Sequence, residues 1–192
     1  MLTEGIMKKS LIRCAALLLS CLLLLSACSS VEKKSSYELK EIDNLYYFYI
    51  YDSNGKTLKS EGPFTKKPRI TNVSENIILF TVQAGTGLAT NWGFFYDLKS
   101  NTESKIYKGI FDCTPTLVAY GASLSVNVSE IFNNGENIQV FDSFSKEFSK
   151  SAEPINSAKF INGGKQIEIT YLSGEDYSRI TEVKDIDLNS GK

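Results

Sequence analysis

Apolar residues recur along the body of the chain in short β-prone runs, and four of these runs end in an aspartate. Turn residues such as Ser, Asn, Gly and Lys follow, and successive aspartates are 45 residues apart, at Asp52, Asp97, Asp142 and Asp187. A fixed period of this length indicates internal duplication of one structural unit. Because an aspartate side chain can accept hydrogen bonds from the backbone of the next turn, its repetition favours a structural role.

Three further segments recur at roughly the same interval as the aspartates, and they begin at Pro68, Pro115 and Pro154. Each contains a short apolar strand, a turn and a longer strand. One unit is therefore predicted to run as strand, turn, strand, variable loop, strand ending in aspartate, turn and outer strand. The body of the chain does not have the periodicity of an amphipathic helix, so the pattern predicts an all-β fold.

Four antiparallel strands in a repeat of this length are typical of a propeller blade. The aspartate-ending third strand resembles the blades of WD40-like and related bacterial β-propellers, over most of residues 45–192. The resemblance implies four blade-like repeats of about 45 residues in a small or partial β-propeller. A β-sandwich made from the same strands is the alternative.

The two ends of the repeat array do not determine whether the ring of blades closes. The first unit has no room for one strand, and the last unit lacks its outer strand. Three arrangements fit: the termini complete one composite blade, the sheets form an open array, or two chains pair their open edges into a larger ring.

Residues 8–27 begin with basic side chains, continue with an apolar stretch and end in small residues, which is the layout of a secretory signal helix. The sequence LSAC that ends at Cys28 resembles the lipobox of bacterial lipoproteins. The resemblance implies removal of residues 1–27 and attachment of lipid to Cys28. The alternative is an uncleaved membrane helix, although the apolar stretch 14–27 is short against the roughly 20 residues that span a bilayer.

Met1 and Met7 are both candidate translation starts, and the two lysines after Met7 make it the more usual beginning of a signal. Residues 28–36 are polar and are predicted to form a flexible tether. Residues 37–192 are predicted to form the β-propeller-like domain. The mature protein is thus expected at the cell membrane, lipid-anchored on the extracytoplasmic face.

Composition excludes several kinds of chemistry. The 192 residues contain 21 Lys and Arg and 22 Asp and Glu, and this balance gives no indication of a nucleic-acid partner. The absence of histidine excludes catalytic triads and metal sites that depend on imidazole. We predict no catalytic residue, no metal ligand and no cofactor. With residues 1–27 removed and Cys28 lipidated, Cys113 is the remaining thiol, and we interpret it as a small buried hydrophobe.

The most distinctive stretch for binding is 83–93, which the pattern places in the loop between the second and third strands of its unit. It contains the only tryptophan together with amide, hydroxyl and glycine residues. The candidate binding residues are Gln83, Thr86, Asn91 and Trp92. Because an aromatic ring can stack on a sugar while amides bond its hydroxyls, the stretch indicates a glycan site on a loop. The alternative is a long hairpin loop whose Trp92 caps a sheet.

The run 46–51 is aromatic or aliphatic at every position. Strand alternation places Tyr47, Tyr49 and Tyr51 on one face and the other three residues on the opposite face. A strand that is apolar on both faces is usually buried between two sheets, and we prefer this interpretation to a binding stripe.

A small basic patch lies beside Pro68 and consists of Lys66, Lys67 and Arg69. Charge clusters of this size are usually solvated turns, which is the preferred interpretation. Contact with an anionic envelope polymer or a lipid head group is the alternative.

These features together predict a lipoprotein that acts as a non-catalytic binding or interaction module in the cell envelope. A glycan-binding accessory protein centred on Trp92 is the second hypothesis, and a carboxylate-based polysaccharide-degrading enzyme is the third. The expected partners are the membrane, through lipid on Cys28, and an envelope protein or glycan, with no nucleic acid. The open sheet edges are also compatible with an oligomer.

Overall fold

The computed structural model describes residues 34–87, 90–122, 125–133, 137–142, 155–173 and 176–188. In these ranges the chain forms antiparallel strands in four sheets that follow one another along the sequence. None of the helices in these ranges combines the length and the apolar character needed to cross a bilayer. The predicted signal segment, residues 1–27, and Cys28 lie outside the described residues.

Each sheet is a meander in which strands that are neighbours in sequence pair with one another. Sheet 1 contains β1 (Ser36–Ile42), β2 (Leu45–Tyr51) and β3 (Thr57–Phe64). Sheet 2 contains β4 (Arg69–Asn72), β5 (Ile77–Gln83), β6 (Asn91–Asp97), β7 (Thr102–Glu103) and β8 (Tyr107–Lys108). Sheet 3 contains β9 (Ile110–Cys113), β10 (Leu117–Tyr120), β11 (Ser125–Glu130) and β12 (Ile138–Asp142). Sheet 4 contains β13 (Ile155–Ile161), β14 (Gln166–Ser173) and β15 (Ser178–Asp185), and the short 3-10 helix Asn162–Gly164 joins β13 to β14.

The predicted all-β class is confirmed. Sheet 2 follows the predicted strand order in full, since β4 and β5 follow Pro68, β6 ends at Asp97, and β7 and β8 both pair with β6 as two pieces of an outer strand. The strands after Pro115 and Pro154 repeat the first three strands of this order in sheets 3 and 4, whereas β9 of sheet 3 lies before Pro115 and was not predicted. Sheets 1 and 4 contain three strands each in the described ranges.

The sheets do not close on themselves: the described strands form no closed barrel and no propeller ring. They also differ from a two-sheet sandwich, in which each sheet buries one face, because sheets 2 and 3 bury apolar residues on both faces. The described part of the chain is therefore a set of four successive antiparallel sheets held together by three core clusters.

Strand alternation explains how sheet 2 packs on both sides. In β5, Phe80 faces sheet 1 and Leu79 faces sheet 3; in β6, Phe94 faces sheet 1 and Phe95 faces sheet 3. On the sheet 1 side, Phe48 contributes a ring 4.6 Å from that of Phe80, measured between centroids. Consecutive apolar residues along one strand therefore serve two different interfaces.

The third core cluster joins sheets 3 and 4 by the same alternation. Val126 and Val128 of β11 belong to the same core cluster as Ile167 and Ile169 of β14, and all four are fully buried. Sheet 3 thus contacts sheet 2 through one face and sheet 4 through the other.

The repeated aspartates perform the predicted turn role at the two positions where the whole turn is described. The Oδ1 atom of Asp52 accepts hydrogen bonds from the backbone N–H groups of Asn54 and Lys56, both at 2.8 Å. Asp97 Oδ1 accepts from Lys99 N at 2.8 Å in the same way. The turn that follows Asp142 lies outside the described residues, and Asp187 lies two residues beyond the end of β15.

We expect Asp97→Ala to lower the free energy of unfolding by about 1 kcal/mol, because the turn loses its side-chain acceptor. Asp97→Asn retains an Oδ1 atom at the same place and is expected to change stability by less than half as much. Urea denaturation of both variants measures the difference. An equal loss in the two variants would show that the charge, and not the hydrogen bond, is what matters at this position.

Candidate functional site

A cleft of about 410 Å³ lies between sheets 2 and 3 and contains most of the polar side chains that the sequence had singled out. One wall is the face of sheet 2 that turns toward sheet 3, and the other is strand β9. The lining residues from the candidate stretch and the basic patch are Lys67, Arg69, Gln83, Asn91 and Trp92. The cleft thus brings together the basic patch and the candidate stretch 83–93, which are separate in the sequence.

Cross-strand pairing brings these side chains onto one face. Arg69 of β4 is paired with Thr81 of β5, and Gln83 of β5 is paired with Asn91 of β6. Residues that are directly opposite in an antiparallel pair have their side chains on the same face, as do residues two apart on one strand. The Arg69–Thr81 pair is therefore the neighbour of the Gln83–Asn91 pair on the same face of sheet 2.

Strand β9 forms the opposite wall, and the sequence pattern did not predict it. The chain passes from sheet 2 to sheet 3 at Gly109, whose φ of 62° is a conformation that favours glycine. Gly109 N donates to the carbonyl of Asn91 in sheet 2 at 2.8 Å, and its carbonyl accepts from Gly121 N beside sheet 3 at 3.0 Å. A glycine between two short β-prone runs is the sequence signal that marks this crossing.

A glycine also shapes the wall of sheet 2. Gly93 is paired with Thr81 on the cleft face, and a Cβ atom there would lie 2.9 Å from Thr81 Cγ2 and 3.3 Å from Ile110 Cδ1. The missing side chain allows Ile110 of β9 to pack against sheet 2. Sheets 2 and 3 therefore approach each other closely at Gly93, beside the cleft that Ile110 also lines.

The charged side chains give the cleft an excess of positive charge. Lys67 and Arg69 are exposed, and neither forms an ion pair with another described residue. Asp112 is the one carboxylate among the described lining residues, and its Oδ2 accepts a hydrogen bond from Phe160 N of sheet 4 at 2.8 Å. Lys66, the third member of the predicted basic patch, does not line the cleft.

Asn91 has an unusual hydrogen-bonding environment among the residues that line the cleft. Its Oδ1 atom is buried and accepts no hydrogen bond from any residue in the described ranges. Buried acceptors are almost always hydrogen-bonded, because removing one from water without a partner is costly. Its neighbour Gln83 is exposed at the mouth and carries both a donor and an acceptor.

Trp92 has a different environment from the one expected for a sugar-stacking ring. It belongs to β6 and not to the preceding loop, and alternation directs its side chain to the opposite face from Asn91. The indole packs with Phe64 and Phe80, with centroid distances of 6.3 Å to each. It lines the cleft while forming part of the apolar cluster between sheets 1 and 2.

Thr86 is the one predicted binding residue that lies away from the cleft. It is exposed in the bend that follows β5, and it is not among the lining residues. The structure therefore brings Gln83 and Asn91 together, adds Lys67 and Arg69, and leaves Thr86 apart.

Cys113 lines the cleft, and its thiol is protonated at neutral pH, which makes it a poor nucleophile. Burial raises the pKa of Cys113 to about 11, and the neighbouring Asp112 carboxylate adds to the increase. Apolar side chains of the cluster between sheets 2 and 3 pack around it. This environment agrees with the predicted role of Cys113 as a small hydrophobe.

A second surface with potential for recognition is the outer face of sheet 1. The predicted alternation is confirmed on one side, since Phe48 and Ile50 are buried against sheet 2. The expectation of burial is wrong for the other side: Tyr47, Tyr49 and Tyr51 are only half-buried, and none of them belongs to a core cluster of the described residues. A first sheet has a neighbour on one side only, which leaves this tyrosine face uncovered within the described chain.

The half-buried tyrosines of this face are held in a regular arrangement. The rings of Tyr49 and Tyr51 are stacked with centroids 6.1 Å apart and planes inclined by 18°. The Lys40 ammonium lies 5.3 Å from the centre of the Tyr49 ring and forms an ion pair with Glu38 at 3.2 Å. The face thus presents ordered aromatic rings beside a cation and a carboxylate.

No family model matches the sequence, and no curated protein matches it. In the described part of the chain, no three His, Cys, Asp or Glu side chains are grouped so that they could hold a metal ion. The functional interpretation therefore depends on the cleft and the tyrosine face themselves.

We expect Cys113 to react slowly with iodoacetamide in the native protein. At a pKa of about 11, roughly a thousandth of the thiols are ionised at pH 8. The rate is expected to rise with pH up to the pKa and to increase strongly when urea unfolds the protein. Mass spectrometry of the alkylated protein gives the rate, and Cys113→Ser identifies the signal. Rapid alkylation of the native protein at pH 7 would contradict the buried, protonated thiol.

Proposed function

We propose that this chain is an extracytoplasmic lipoprotein, anchored to the membrane by lipid on Cys28, whose β-sheet domain is a non-catalytic binding module. The layout of residues 8–27 and the LSAC sequence support the anchor. The predicted tether 28–36 is too long at its end, because Ser36 begins β1 and Ser35 is buried against sheet 2. The tether of this proposal is therefore the polar stretch that precedes residue 34.

The observation that carries the binding role is the convergence of cations and amides in one cleft. Arg69, Gln83 and Asn91 come from three neighbouring strands and face the same space. Their groups can form ion pairs and hydrogen bonds without breaking a bond. A glycosidase needs two carboxyl groups at a fixed separation, and the single described carboxylate of the cleft, Asp112, is already engaged by Phe160 N.

The four successive sheets support an interaction module of the repeat kind. We propose that they are blade-like units derived by duplication, as in a partial propeller, with binding surfaces on their loops and outer faces. The tyrosine face of sheet 1 supports a second candidate function, a scaffold for an envelope protein. Tyrosine supplies large amphipathic contact area at low entropic cost, which is why it is enriched in protein interfaces.

The anchor is tested by lipid labelling. We expect the wild-type protein to incorporate an alkyne-labelled fatty acid in cells and Cys28→Ser to incorporate none, because only a cysteine thiol can form the thioether with the lipid. Cys113→Ser is the matched control and is expected to be labelled as strongly as the wild type. Labelling that persists in Cys28→Ser would exclude this residue as the anchor.

The binding role is tested by site-specific photocrosslinking in cells. A photoreactive amino acid at Gln83, at the mouth of the cleft, is expected to give adducts with an envelope component. The matched control places it at Arg179, which is exposed on the last strand of sheet 4. A third position, Tyr49, tests the scaffold function. Adducts at position 83 support the cleft, adducts at position 49 alone support the scaffold, and absence of adducts at both positions would refute a binding module.

A further inference from the structure

We infer that the cleft between sheets 2 and 3 binds an anionic carbohydrate, that is, a sugar or polyol chain with carboxylate or phosphate groups close to free hydroxyls. This inference rests on the proposed binding function and names the class of ligand for the same site. It differs from the glycan hypothesis drawn from the sequence, because the charges of Arg69 and Lys67, and not the Trp92 ring, act together with the amide of Asn91.

The first part of the argument is charge. Lys67 and Arg69 stand at the cleft without an ion-pair partner among the described residues, while the Asp112 carboxylate is held by Phe160 N. A guanidinium group forms paired hydrogen bonds with a carboxylate or a phosphate, and a nearby ammonium adds attraction. An anionic group on the ligand therefore complements this end of the cleft better than a neutral one.

The second part is the buried acceptor. Asn91 Oδ1 has no donor in the described ranges and is shielded from solvent. A carboxylate or phosphate oxygen has no proton to offer this atom, whereas a hydroxyl group does. Gln83 lies directly across from Asn91 in the strand pairing and provides a further donor and acceptor for the same or the next hydroxyl.

The spacing of the two groups completes the argument. Thr81, the partner of Arg69, and Gln83, the partner of Asn91, are two residues apart on β5. Residues at this separation on a strand are about 7 Å apart, so the cationic and amide groups are side by side along the cleft. A bare anion would satisfy only Arg69 and Lys67, and a neutral sugar only the amides. An anionic carbohydrate satisfies both.

The test is calorimetric titration of the full-length, detergent-solubilised protein with three oligomers of equal length: an oligoglucuronate, an oligo(glycerol phosphate) and a neutral oligoglucose. We expect at least one anionic oligomer to bind about tenfold or more tightly than the neutral one, with an affinity that falls as NaCl is added. The first two oligomers distinguish carboxylate from phosphate as the source of the charge.

Substitutions of the lining residues test whether the oligomers bind in the cleft. Arg69→Gln is expected to weaken binding of the anionic oligomer about tenfold while leaving the neutral oligomer almost unchanged. Asn91→Leu removes the buried acceptor and is expected to weaken both. Lys67→Gln is expected to weaken binding of the anionic oligomer as well, because it removes the second cation of the cleft. Lys66→Gln is its matched control and is expected to leave binding unchanged, since it removes the same charge from a neighbouring residue that does not line the cleft. Thermal unfolding of each variant verifies that it remains folded.

Three results would overturn the inference. The first is equal affinity for the charged and neutral oligomers. The second is an affinity that Arg69→Gln and Lys67→Gln leave unchanged. The third is binding of none of the three oligomers while position 83 crosslinks to a protein in cells, which would refute the carbohydrate and retain the binding module. Absence of any adduct at position 83 would instead refute the proposed function of the cleft.

Discussion

The structure depends on sheets 2 and 3 each burying apolar side chains on both faces. Side chains alternate along a strand, so a run such as Ile78, Leu79 and Phe80 can be buried throughout only if a sheet lies on each side. This requirement places sheets 1 and 3 against sheet 2, and sheets 2 and 4 against sheet 3. The other faces of sheets 1 and 4 are not covered by another described sheet, and there the strands carry tyrosines, threonines and charged residues.

The sequence pattern predicted the strands of most sheets, but it did not predict which residues line the cleft, and the difference has a physical cause. Strands and turns are local, so the period of the aspartates and the prolines predicted the order of strands and the hydrogen bonds of Asp52 and Asp97. The cleft is assembled across strands and sheets. Whether Arg69 faces the same space as Asn91 depends on the register of β4, β5 and β6, which the composition of the loop does not reveal.

The same alternation separates two adjacent residues that the sequence had placed in one site. Asn91 and Trp92 follow one another, yet the amide lines a polar cleft while the indole packs among phenylalanines of the neighbouring interface. Strand β9 was missed because it is four residues long and begins just after Gly109, where a change of sheet resembles an ordinary turn. The proposed recognition site thus lies at a boundary between two sheets, and no single loop contains it.

The meander topology has a consequence for how the chain folds. Each sheet is made from strands that are neighbours in sequence, so most hydrogen-bonded contacts close short loops, which is fast and costs little chain entropy. Contacts between sheets also join consecutive units, such as Phe48 with Phe80 and Val126 with Ile167. Folding can therefore begin in any one unit and spread to its neighbour, and each sheet is able to assemble on the preceding one.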